Sequence, residues 1–343
     1  MEIAIYGAGS MGTVLGSFLC KAGIASDLIS DDKKHIAVLK TAGAKIGGAV
    51  SFSTPPFDST GGRGSALLPE EVSQKYDIIF LLTKQWDNAV TAQTLKNHLK
   101  PGGVICTMQN GLPEPGLAEI LGEERVLGCV CIWGANKTSD GEADLVSKAG
   151  RVHFKLGCLT ESHAMLGSVQ EILEKIGHVK IERNFIGARW SKLLINAAFS
   201  GISTITGLSF GRIASGRISG RFALEVIREC IEVCRSAGIT IERVQGKFPA
   251  EFMYFKSPLK RSILSFIMGI AMKNYGKIKS GMLHDLDRGR TCEIDSINGA
   301  VCKAGKKYHV PTPVNDKIVE LVHSIERGER RYCPENLQEL LLL

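Results

Sequence analysis

IAIYGAGSMG, the sequence of residues 3–12, is a short apolar run followed by three glycines spaced as G-x-G-x-x-G. The apolar run predicts a strand, and the residues after the glycines predict a helix. Glycines at these positions let the backbone turn tightly and approach a pyrophosphate at the helix N-terminus. The stretch therefore predicts a dinucleotide-binding turn, and a tight turn without a ligand is the alternative. Its residues are Gly7, Ala8, Gly9, Ser10, Met11 and Gly12.

The first half of the chain alternates short apolar runs with helical patterns, which is typical of a parallel sheet covered by helices. Strands are predicted at residues 2–6, 25–29, 77–82, 103–108, 126–132, 151–156 and 179–182, and helices at 11–22 and 87–99. Residues 51–64, rich in Ser, Pro and Gly, are predicted to form a loop of unassigned role. The fold class is therefore α/β, with an N-terminal Rossmann-type doubly wound parallel sheet.

The second half differs, because long segments with helical periodicity replace the strand patterns. Helices are predicted at residues 185–199, 220–237, 262–275, 293–308 and 313–327. We therefore expect a dinucleotide-binding domain at residues 1–184 and an all-helical domain at residues 185–343. The apolar stretch 263–272 is too short to cross a bilayer and is predicted to be a buried helix. The tail from Cys333 predicts a short helix packed on the body or on a partner subunit, which leaves a homodimer open.

Composition limits the classes of partner. The net charge of +7 is not concentrated in a basic stripe, so it favours small anionic molecules over nucleic acid. No segment has the length of a membrane helix, and the N-terminus lacks the pattern of a signal peptide. The ten cysteines form no Cys-x-x-Cys pair, which predicts reduced thiols and no metal site. These features predict a cytoplasmic protein without a membrane or nucleic-acid partner.

Charged residues of both signs follow the second predicted strand. Asp31 and Asp32 lie where a carboxylate binds the ribose hydroxyls of NAD and repels a 2′-phosphate. Lys33 and Lys34 come directly after them and suit that phosphate instead. Charge placement favours NADH, and a solvated turn without a cofactor contact is the alternative.

A polar face is predicted on the first helix of the second half. Lys192, Asn196 and Ser200 are four residues apart, so they share one side of that helix. Two predicted strands of the first half are followed by Lys84 and Asn110, at the edge where doubly wound sheets bind ligands. A solvated polar stripe is the alternative for the helix. Combined with the dinucleotide turn, the pattern indicates an oxidoreductase in which Lys192 protonates a carbonyl oxygen.

The order of these motifs resembles the ketopantoate reductase family (2-dehydropantoate 2-reductase) over nearly the whole chain. W-x-K-L-x-x-N begins at Trp190, M-L-x-D at Met282 and E-I-D-x-I-N-G at Glu293. The resemblance implies a Rossmann domain, a helical C-terminal domain and an active site in the cleft between them. It also implies NAD(P)H-dependent reduction of a 2-oxo acid, which is ketopantoate in pantothenate synthesis. NADPH is the cofactor implied by the family, and NADH is favoured by Asp31 and Asp32.

The resemblance also implies roles for single residues. Lys192 corresponds to the general acid, and Asn196 to the substrate-binding amide. Lys84 and Asn110 match residues near the nicotinamide and its ribose. The implied substrate contacts are Lys192, Asn196, Ser200, Asn110, Gly281 and Glu293. The implied cofactor contacts are the glycine turn, Asp31, Lys84, Asn110, Gly134 (through its backbone) and Glu293.

Three positions depart from the family pattern. Ser200 stands where a second asparagine is frequent, Gly281 where a serine is usual, and Phe210 near an asparagine position of some members. Each change removes a hydrogen-bonding group from the expected substrate site. The arginine that the family usually has after the second strand is replaced by Asp31 and Asp32. The alternatives to ketopantoate reduction are therefore a paralogous reductase of a different 2-oxo acid and a nonenzymatic dinucleotide-binding sensor.

Overall fold

The computed structural model describes residues 1–58, 63–148, 150–244, 246–273 and 276–343 of the protein. The chain forms two compact units. The first contains Met1–Gln109 and Pro113–Phe185, and the second contains Asn110–Leu112 and Ile186–Leu343. Part of the predicted loop at residues 51–64, and the end of the predicted helix at 262–275, lie outside the described residues.

The first unit contains the strands of the protein. In chain order they are β1 (Ile3–Tyr6), β2 (Asp27–Ile29), β3 (Lys45–Gly48), β4 (Phe52–Ser53), β5 (Ala66–Leu67), β6 (Tyr76–Leu81), β7 (Leu99–Thr107), β8 (Val126–Ile132), β9 (Ala135–Ser139), β10 (Glu142–Leu145), β11 (His153–Cys158) and β12 (His178–Ile181). Each predicted strand is present, and β8 has the predicted bounds.

Eight of these strands form one sheet in the order β12-β11-β8-β7-β6-β1-β2-β5. From β8 to β5 the strands are parallel, in the order of doubly wound dinucleotide-binding sheets. β11 runs antiparallel to β8, and β12 runs parallel to β11. Ile5, Leu28 and Phe80 on neighbouring strands are fully buried, because helices cover a parallel sheet on both faces. The predicted Rossmann-type fold class is confirmed.

Five helices accompany these strands in the described part of the first unit. They are α1 (Ser10–Lys21), α2 (Lys33–Ala42), α3 (Asn88–Asn97), α4 (Glu114–Leu121) and α5 (Leu166–Leu173). The sequence predicted α1 and α3 but missed the other three. α4 and α5 have only 8 residues each, which is too short for helical periodicity to stand out in the sequence.

A second sheet of four strands, in the order β4-β3-β10-β9, was not predicted. Its parallel pair joins β3 to β10, with Lys45 opposite Glu142, so no local pattern could reveal it. The strand β4 also lies within residues 51–64, where only a loop was expected. A two-residue strand has no alternation to recognise, which explains the error.

The second unit is helical. Its helices are α6 (Phe185–Asn196), α7 (Ile202–Thr206), α8 (Phe210–Ser215), α9 (Arg217–Ser236), α10 (Pro258–Ala271), α11 (Gly281–Asp287), α12 (Ile294–Lys307), α13 (Pro313–Glu326) and α14 (Leu337–Leu340). A π-helical segment, Ala197–Gly201, joins α6 to α7. All five predicted helices are present, and the predicted short helix of the tail is α14. The core of this unit includes Trp190, Leu194 and Ile202.

The prediction of a buried helix at residues 263–272 is wrong. In α10 only Leu264 is buried, whereas Phe266 is 71% exposed and Ile270 is 62% exposed. Among the described residues, helix α10 packs mainly on α8 and α9. An apolar stretch shows that a helix has apolar surface, but it does not show that one chain covers that surface.

The remaining expectations concern the thiols and the membrane. All ten cysteines are free thiols, and only Cys333 is not buried. Burial raises the pKa of the Cys234 and Cys302 thiols, which keeps them protonated and inert. None of the helices formed by the described residues is long and apolar enough to cross a membrane.

Candidate active site

The glycines of the turn between β1 and α1 have two different roles, which are close packing of the backbone and space for a ligand. Gly7 has a φ of 106°, and a Cβ there would lie 2.6 Å from the backbone nitrogen of Thr83. A Cβ on Gly12 would lie 2.3 Å from the carbonyl oxygen of Gly7. The packing of the protein therefore requires glycine at both positions. A Cβ on Gly9 would meet no atom of the described residues within 4 Å, so Gly9 leaves open space for a ligand.

The N-terminus of α1 suits an anion. Its N-cap is Gly9, and no side chain of the described residues caps the helix. The first N–H groups of an α-helix have no intrahelical acceptor and lie at the positive end of its dipole. The backbone N–H groups of Gly7 and Ala8 both donate to the Ile29 carbonyl at 2.9 Å, which fixes the turn against β2. These residues fit the pyrophosphate of a dinucleotide.

The loop after β6 carries Lys84 and is held by a residue to which the sequence analysis gave no role. Lys84 is half-buried and follows the strand that neighbours β1. The buried Gln109, at the end of β7, donates from Nε2 to the Thr83 carbonyl at 2.9 Å and to Asn88 Oδ1 at 2.7 Å. Gln109 therefore positions the loop on both sides of Lys84. The sequence feature that could have identified Gln109 is its position directly before Asn110.

The two aspartates after β2 have different surroundings. Asp32 caps α2 by accepting from the His35 N–H at 3.2 Å, and Lys137 on β9 donates to its carboxylate at 2.7 Å. The hydrogen bond from Lys137 lowers the pKa of Asp32, with a further contribution from His35. Asp31 is exposed and close enough to Tyr6 for its charge to contribute to the raised pKa of that phenol, after burial. Asp31 is therefore the better placed of the two for a ribose.

His35 links the glycine turn to the smaller sheet, and no sequence signal pointed to it. Its buried ring accepts the Gly141 N–H at Nδ1 (3.0 Å), so Nε2 carries the proton and faces Thr13 Oγ1 at 2.9 Å. Thr13 in turn donates to the Ala8 carbonyl at 3.2 Å. Burial lowers the pKa of His35, which favours this neutral form.

The backbone of Gly134 is engaged within the first unit. Its N–H donates to Ser147 Oγ at 3.1 Å, and its carbonyl accepts the Val146 N–H at 2.9 Å. Gly134 was expected to offer its backbone to the cofactor, but its N–H is already engaged by Ser147 in this structure.

The structure brings Lys192 and Asn110 together, although 82 residues separate them in sequence. Both belong to the second unit, which includes Asn110–Leu112. The Lys192 ammonium donates from Nζ to Asn110 Oδ1 at 2.9 Å. Lys192 is half-buried on α6, while Leu193 and Leu194 beside it are in the core. An ammonium held in this way has a fixed position from which to bind and protonate a carbonyl oxygen.

Asn196 and Ser200 lie next along the same helical run. The Ser200 hydroxyl donates to Asn196 Oδ1 at 2.5 Å, across the junction of α6 and the π segment. Because the hydroxyl takes the oxygen side of the amide, the Nδ2 group of Asn196 is the one left to face a ligand. The Thr204 hydroxyl donates to the Ser200 carbonyl at 2.7 Å. π segments within α-helices are frequent at functional sites.

Gly281 begins α11 and leaves space beside it. Ser280 caps this helix by accepting the Met282 N–H at 3.1 Å, and its Oγ lies 3.3 Å from Thr204 Oγ1. Gly281 is exposed, and a Cβ there would have no described atom within 4 Å. The packing of the described residues therefore does not require glycine at position 281, and it would accommodate the serine that is usual in the family.

Glu293 and Asn298 mark the first turns of α12. Glu293 is buried at the N-cap, and its carbonyl accepts the Ile297 N–H at 3.1 Å. Asn298 is fully buried and donates to the Ala197 carbonyl at 3.2 Å and to Asn315 Oδ1 at 2.9 Å. Asn298 therefore holds the π segment from outside its helix. The sequence showed Asn298 within the E-I-D-x-I-N-G motif but gave it no role.

A doubly wound sheet with a dinucleotide turn, together with a lysine held by an amide, defines a nicotinamide-dependent oxidoreductase. The comparison with protein families agrees with this class. Residues 3–160 match the family described as ketopantoate reductase PanE/ApbA, and residues 184–326 match the ketopantoate reductase PanE/ApbA C-terminal family. The chain belongs to the ketopantoate reductase family. It is an NAD(P)H-dependent oxidoreductase that reduces a 2-oxo acid.

Curated relatives and solved structures cover nearly all of the chain. The 2-dehydropantoate 2-reductase of Archaeoglobus fulgidus is 27% identical over 332 residues, which are 95% of this chain and 98% of the relative. The enzyme of the same name from Lactococcus lactis is 24% identical, with the same coverage of both chains.

Two solved structures share the fold. A PanE/ApbA family ketopantoate reductase from Ralstonia eutropha has a TM-score of 0.79 at 22% identity, covering 96% of this chain and 99% of its own. A ternary structure of D-mandelate dehydrogenase with NADH and anilino(oxo)acetate has a TM-score of 0.77 at 21% identity, with the same coverage. At such identities the likeness shows the fold alone.

Proposed function

We propose that this enzyme reduces 2-dehydropantoate to pantoate and that Lys192 donates the proton. The observation that carries the proposal is the contact of Lys192 Nζ with Asn110 Oδ1 at 2.9 Å, on the helix that also presents Asn196. The relatives named 2-dehydropantoate 2-reductase support the choice of substrate. When bound, the nicotinamide supplies the hydride that reaches carbon 2.

Lys192 has the chemistry that the carbonyl oxygen requires. Its ammonium has three N–H donors, and one of them is directed at Asn110. Another donor binds the carbonyl oxygen, where the positive charge stabilises the negative charge that develops during reduction. Transfer of the proton from Nζ to this oxygen gives the product hydroxyl and leaves a neutral amine. Asn110 can accept a hydrogen bond from the amine as well, so it holds Nζ throughout.

Asn196 and Glu293 are proposed to position the substrate. The Nδ2 group of Asn196, directed by the hydroxyl of Ser200, donates to an oxygen of the 2-oxo acid. The Glu293 carboxylate accepts hydrogen bonds from hydroxyl groups of cofactor and substrate. Lys84 and Asn110 are proposed to contact the nicotinamide end of the cofactor, as the family resemblance implies.

We extend the proposal to the adenosine end of the cofactor and expect a preference for NADH. The exposed Asp31 carboxylate accepts hydrogen bonds from ribose hydroxyls and repels a 2′-phosphate. Asp32 is engaged by Lys137 and by the start of α2, so its part is to shape the turn. The glycine turn, with Gly7, Gly9 and Gly12, receives the pyrophosphate.

A different 2-oxo acid is the second candidate, and the surroundings of two residues favour it. The Ser200 hydroxyl donates within the protein to Asn196, and Gly281 has no side chain with which to bind a substrate hydroxyl. A site with fewer polar groups discriminates less strongly in favour of a hydroxylated substrate. A 2-oxo acid with a larger, less polar side chain would use the space beside Gly281.

Steady-state reduction of a panel of 2-oxo acids, each with NADH and with NADPH, tests both candidates. The main proposal predicts that 2-dehydropantoate has the highest kcat/KM and that Gly281→Ser lowers its KM, because a Cβ fits at Gly281 and the added hydroxyl can bind the substrate. A higher kcat/KM for an apolar 2-oxo acid would select the second candidate. Gly167→Ser, at an exposed position of α5 where a Cβ likewise meets no described atom within 4 Å, is the matched surface control and is expected to leave KM unchanged.

A further inference from the structure

The end of α13 is hydrogen-bonded to the segment that leads into α12. Glu326, the last residue of α13, accepts the Cys292 N–H at Oε1 over 2.8 Å. Cys292 is buried, and it directly precedes Glu293. The proposed function gives the Glu293 carboxylate a contact with substrate and cofactor. Glu326 therefore holds the chain one residue before a proposed site residue.

The helix that begins at Glu293 fixes the other side of that residue. Its carbonyl accepts the N–H groups of Ser296 and Ile297, both at 3.1 Å. The backbone of Glu293 thus has two anchors, which are Glu326 through the preceding N–H and the first turn of α12 through the carbonyl. Loss of either anchor would allow the buried Glu293 carboxylate to shift within the helical unit.

A histidine in turn holds Glu326. His323 lies three residues before Glu326 on α13, and its Nδ1 is 2.9 Å from Glu326 Oε2. Its Nε2 is 3.0 Å from Oδ1 of Asp295, in the first turn of α12. An ionised carboxylate only accepts hydrogen bonds, so both contacts are hydrogen bonds when both ring nitrogens carry protons. The imidazolium therefore bridges the end of α13 to the start of α12.

We propose that Glu326 and His323 are positioning residues for the reduction, and that together they set the place of the Glu293 carboxylate. This inference rests on the proposed function, from which it takes the role of Glu293. Neither residue needs to touch substrate or cofactor, because Glu326 acts through the Cys292 N–H and His323 acts through Glu326. The bridge is complete while His323 carries both protons, so the site can respond to pH.

The direction of that response follows from the surroundings of His323. Burial by itself lowers the pKa of His323, but the hydrogen bonds and charges of Glu326 and Asp295 raise that pKa above its ordinary value of 6.5. Among the described residues these two carboxylates are the charged groups that act on the ring, and Arg327 is close enough to interact with the charge of Glu326. The bridge is therefore present at pH 6.5 and is lost as pH rises through the raised pKa.

Amide hydrogen exchange of the full chain tests the structural link without an assay of turnover. Glu326→Ala should speed exchange of the Cys292 amide about 10-fold or more, with amides of the sheet unchanged, because this N–H loses an acceptor. Glu326→Gln should stay close to the wild type, because its amide oxygen can still accept that N–H. Glu320→Ala removes an exposed carboxylate of the same helix, paired with Lys317, and is the matched control.

Steady-state kinetics test the functional link, with saturating NADH and the 2-oxo acid of highest kcat/KM. Glu326→Ala should raise KM on the order of 10-fold and change kcat by less than about 3-fold, because a displaced Glu293 weakens binding of substrate and transition state alike. Glu326→Gln should restore most of the wild-type KM. A role in stability alone would lower the Tm and leave KM unchanged, so an unchanged KM in Glu326→Ala would refute the positioning role.

The pH profile of KM tests His323. The wild-type KM should rise as pH increases above 6.5, and Glu320→Ala should retain this rise. His323→Gln cannot titrate, so its KM should be raised at pH 6.5 and should lack the rise. A His323→Gln variant with the wild-type profile would exclude His323 from the bridge.

Failure of the proposed function would look different from failure of this inference. In the first case the wild type reduces none of the 2-oxo acids, and the exchange of the Cys292 amide alone decides whether Glu326 holds the segment. In the second case the wild type is active, and Glu326→Ala matches it both in exchange at Cys292 and in KM. That second result would overturn the inference and leave the proposed function standing.

Discussion

Gly9 and Gly12 lie three residues apart in one turn, and their substitution should affect different properties. A change at Gly9 should weaken cofactor binding, and a change at Gly12 should lower stability. Gly9→Ala places a methyl group in open space at a φ of −77°, which alanine accepts, so the free energy of unfolding should change by less than about 1 kcal/mol. The same methyl group occupies the path of the pyrophosphate, and the Kd of NADH should rise about 10-fold or more. Fluorescence titration and urea unfolding measure the two quantities.

Gly12→Ala is the internal control for this experiment. Its Cβ would lie 2.3 Å from the Gly7 carbonyl oxygen, so the turn must shift, at a cost of about 1–3 kcal/mol in stability. A Gly9→Ala variant that unfolds as easily as Gly12→Ala would contradict the assignment of Gly9 to the ligand.

Lys192 carries the proposed proton transfer, and its removal should affect turnover rather than cofactor binding. Lys192→Ala is expected to lower kcat by about 10²–10⁴-fold, the usual contribution of general acid catalysis. The Kd of NADH should be unchanged, because the glycine turn belongs to the other unit. Lys303→Ala, an exposed lysine of α12, is the matched control. Full turnover by Lys192→Ala would exclude the proton-donor role.

The residues that the sequence analysis missed are those that act through other protein groups. Lys192 stands in a recognisable motif within a predicted helix, and Asn110 follows a predicted strand, so their pairing was within reach. His35, Gln109 and Asn298 bond to backbone groups that are distant in sequence or belong to turns of unknown shape. Hydrophobic periodicity contains no information on such partners.

At the scale of elements, a buried carboxylate on α9 supports the start of α13. Glu229 accepts the N–H groups of Val314 and Asn315 at 2.9 and 3.1 Å and the Asn315 side-chain amide at 2.7 Å. Pro313 occupies the first position of α13 and has no N–H, so Glu229 satisfies the next two donors. Burial nevertheless raises the pKa of Glu229 from 4.5 to about 7, against these three donors and the positive charge of Arg228.

This raised pKa predicts how stability depends on pH. The folded chain binds the Glu229 proton more tightly than the unfolded chain does, so this contribution to stability is complete below pH 4.5 and is lost as pH rises to about 7. Urea unfolding of the wild type and of Glu229→Gln across this range measures it. The difference in free energy of unfolding between them should fall by roughly 3 kcal/mol as pH rises. A difference that does not vary with pH would contradict the raised pKa.

Helical periodicity predicted correctly that these helices exist, but it did not predict which groups pack against them or bond to them. The helix predicted at residues 185–199 continues through the π segment to Thr206. The change in hydrogen-bond spacing was not predicted, because the pattern of apolar residues does not reveal it. Asn298, on α12, supplies a donor to the Ala197 carbonyl there. The prediction for α10 failed for a related reason, because periodicity does not show whether the described part of the chain covers the apolar side chains of that helix.

For the whole molecule, cofactor preference should appear as a difference in thermal stability. A ligand that binds only the folded state stabilises it by about 2.7 kcal/mol at 100 times its Kd. At equal concentrations, NADH should therefore raise the Tm more than NADPH does. Asp31→Arg should reverse this order, because a guanidinium binds the 2′-phosphate that the carboxylate repels. Asp144→Arg, on β10, is the matched control, and an unchanged order in Asp31→Arg would contradict the assignment.

The parallel pairing of β3 with β10 has a consequence for the choice of dinucleotide. Lys45 and Glu142 meet across 97 residues, so this ladder closes a long loop and costs more loop-closure entropy than a pairing of strands that are neighbours in sequence. His35 and Lys137 connect the same region to the turn beside Asp31. The ribose end of the dinucleotide site therefore depends on a long-range pairing, and a chain in which β3 and β10 have separated is expected to lose its preference between the two dinucleotides.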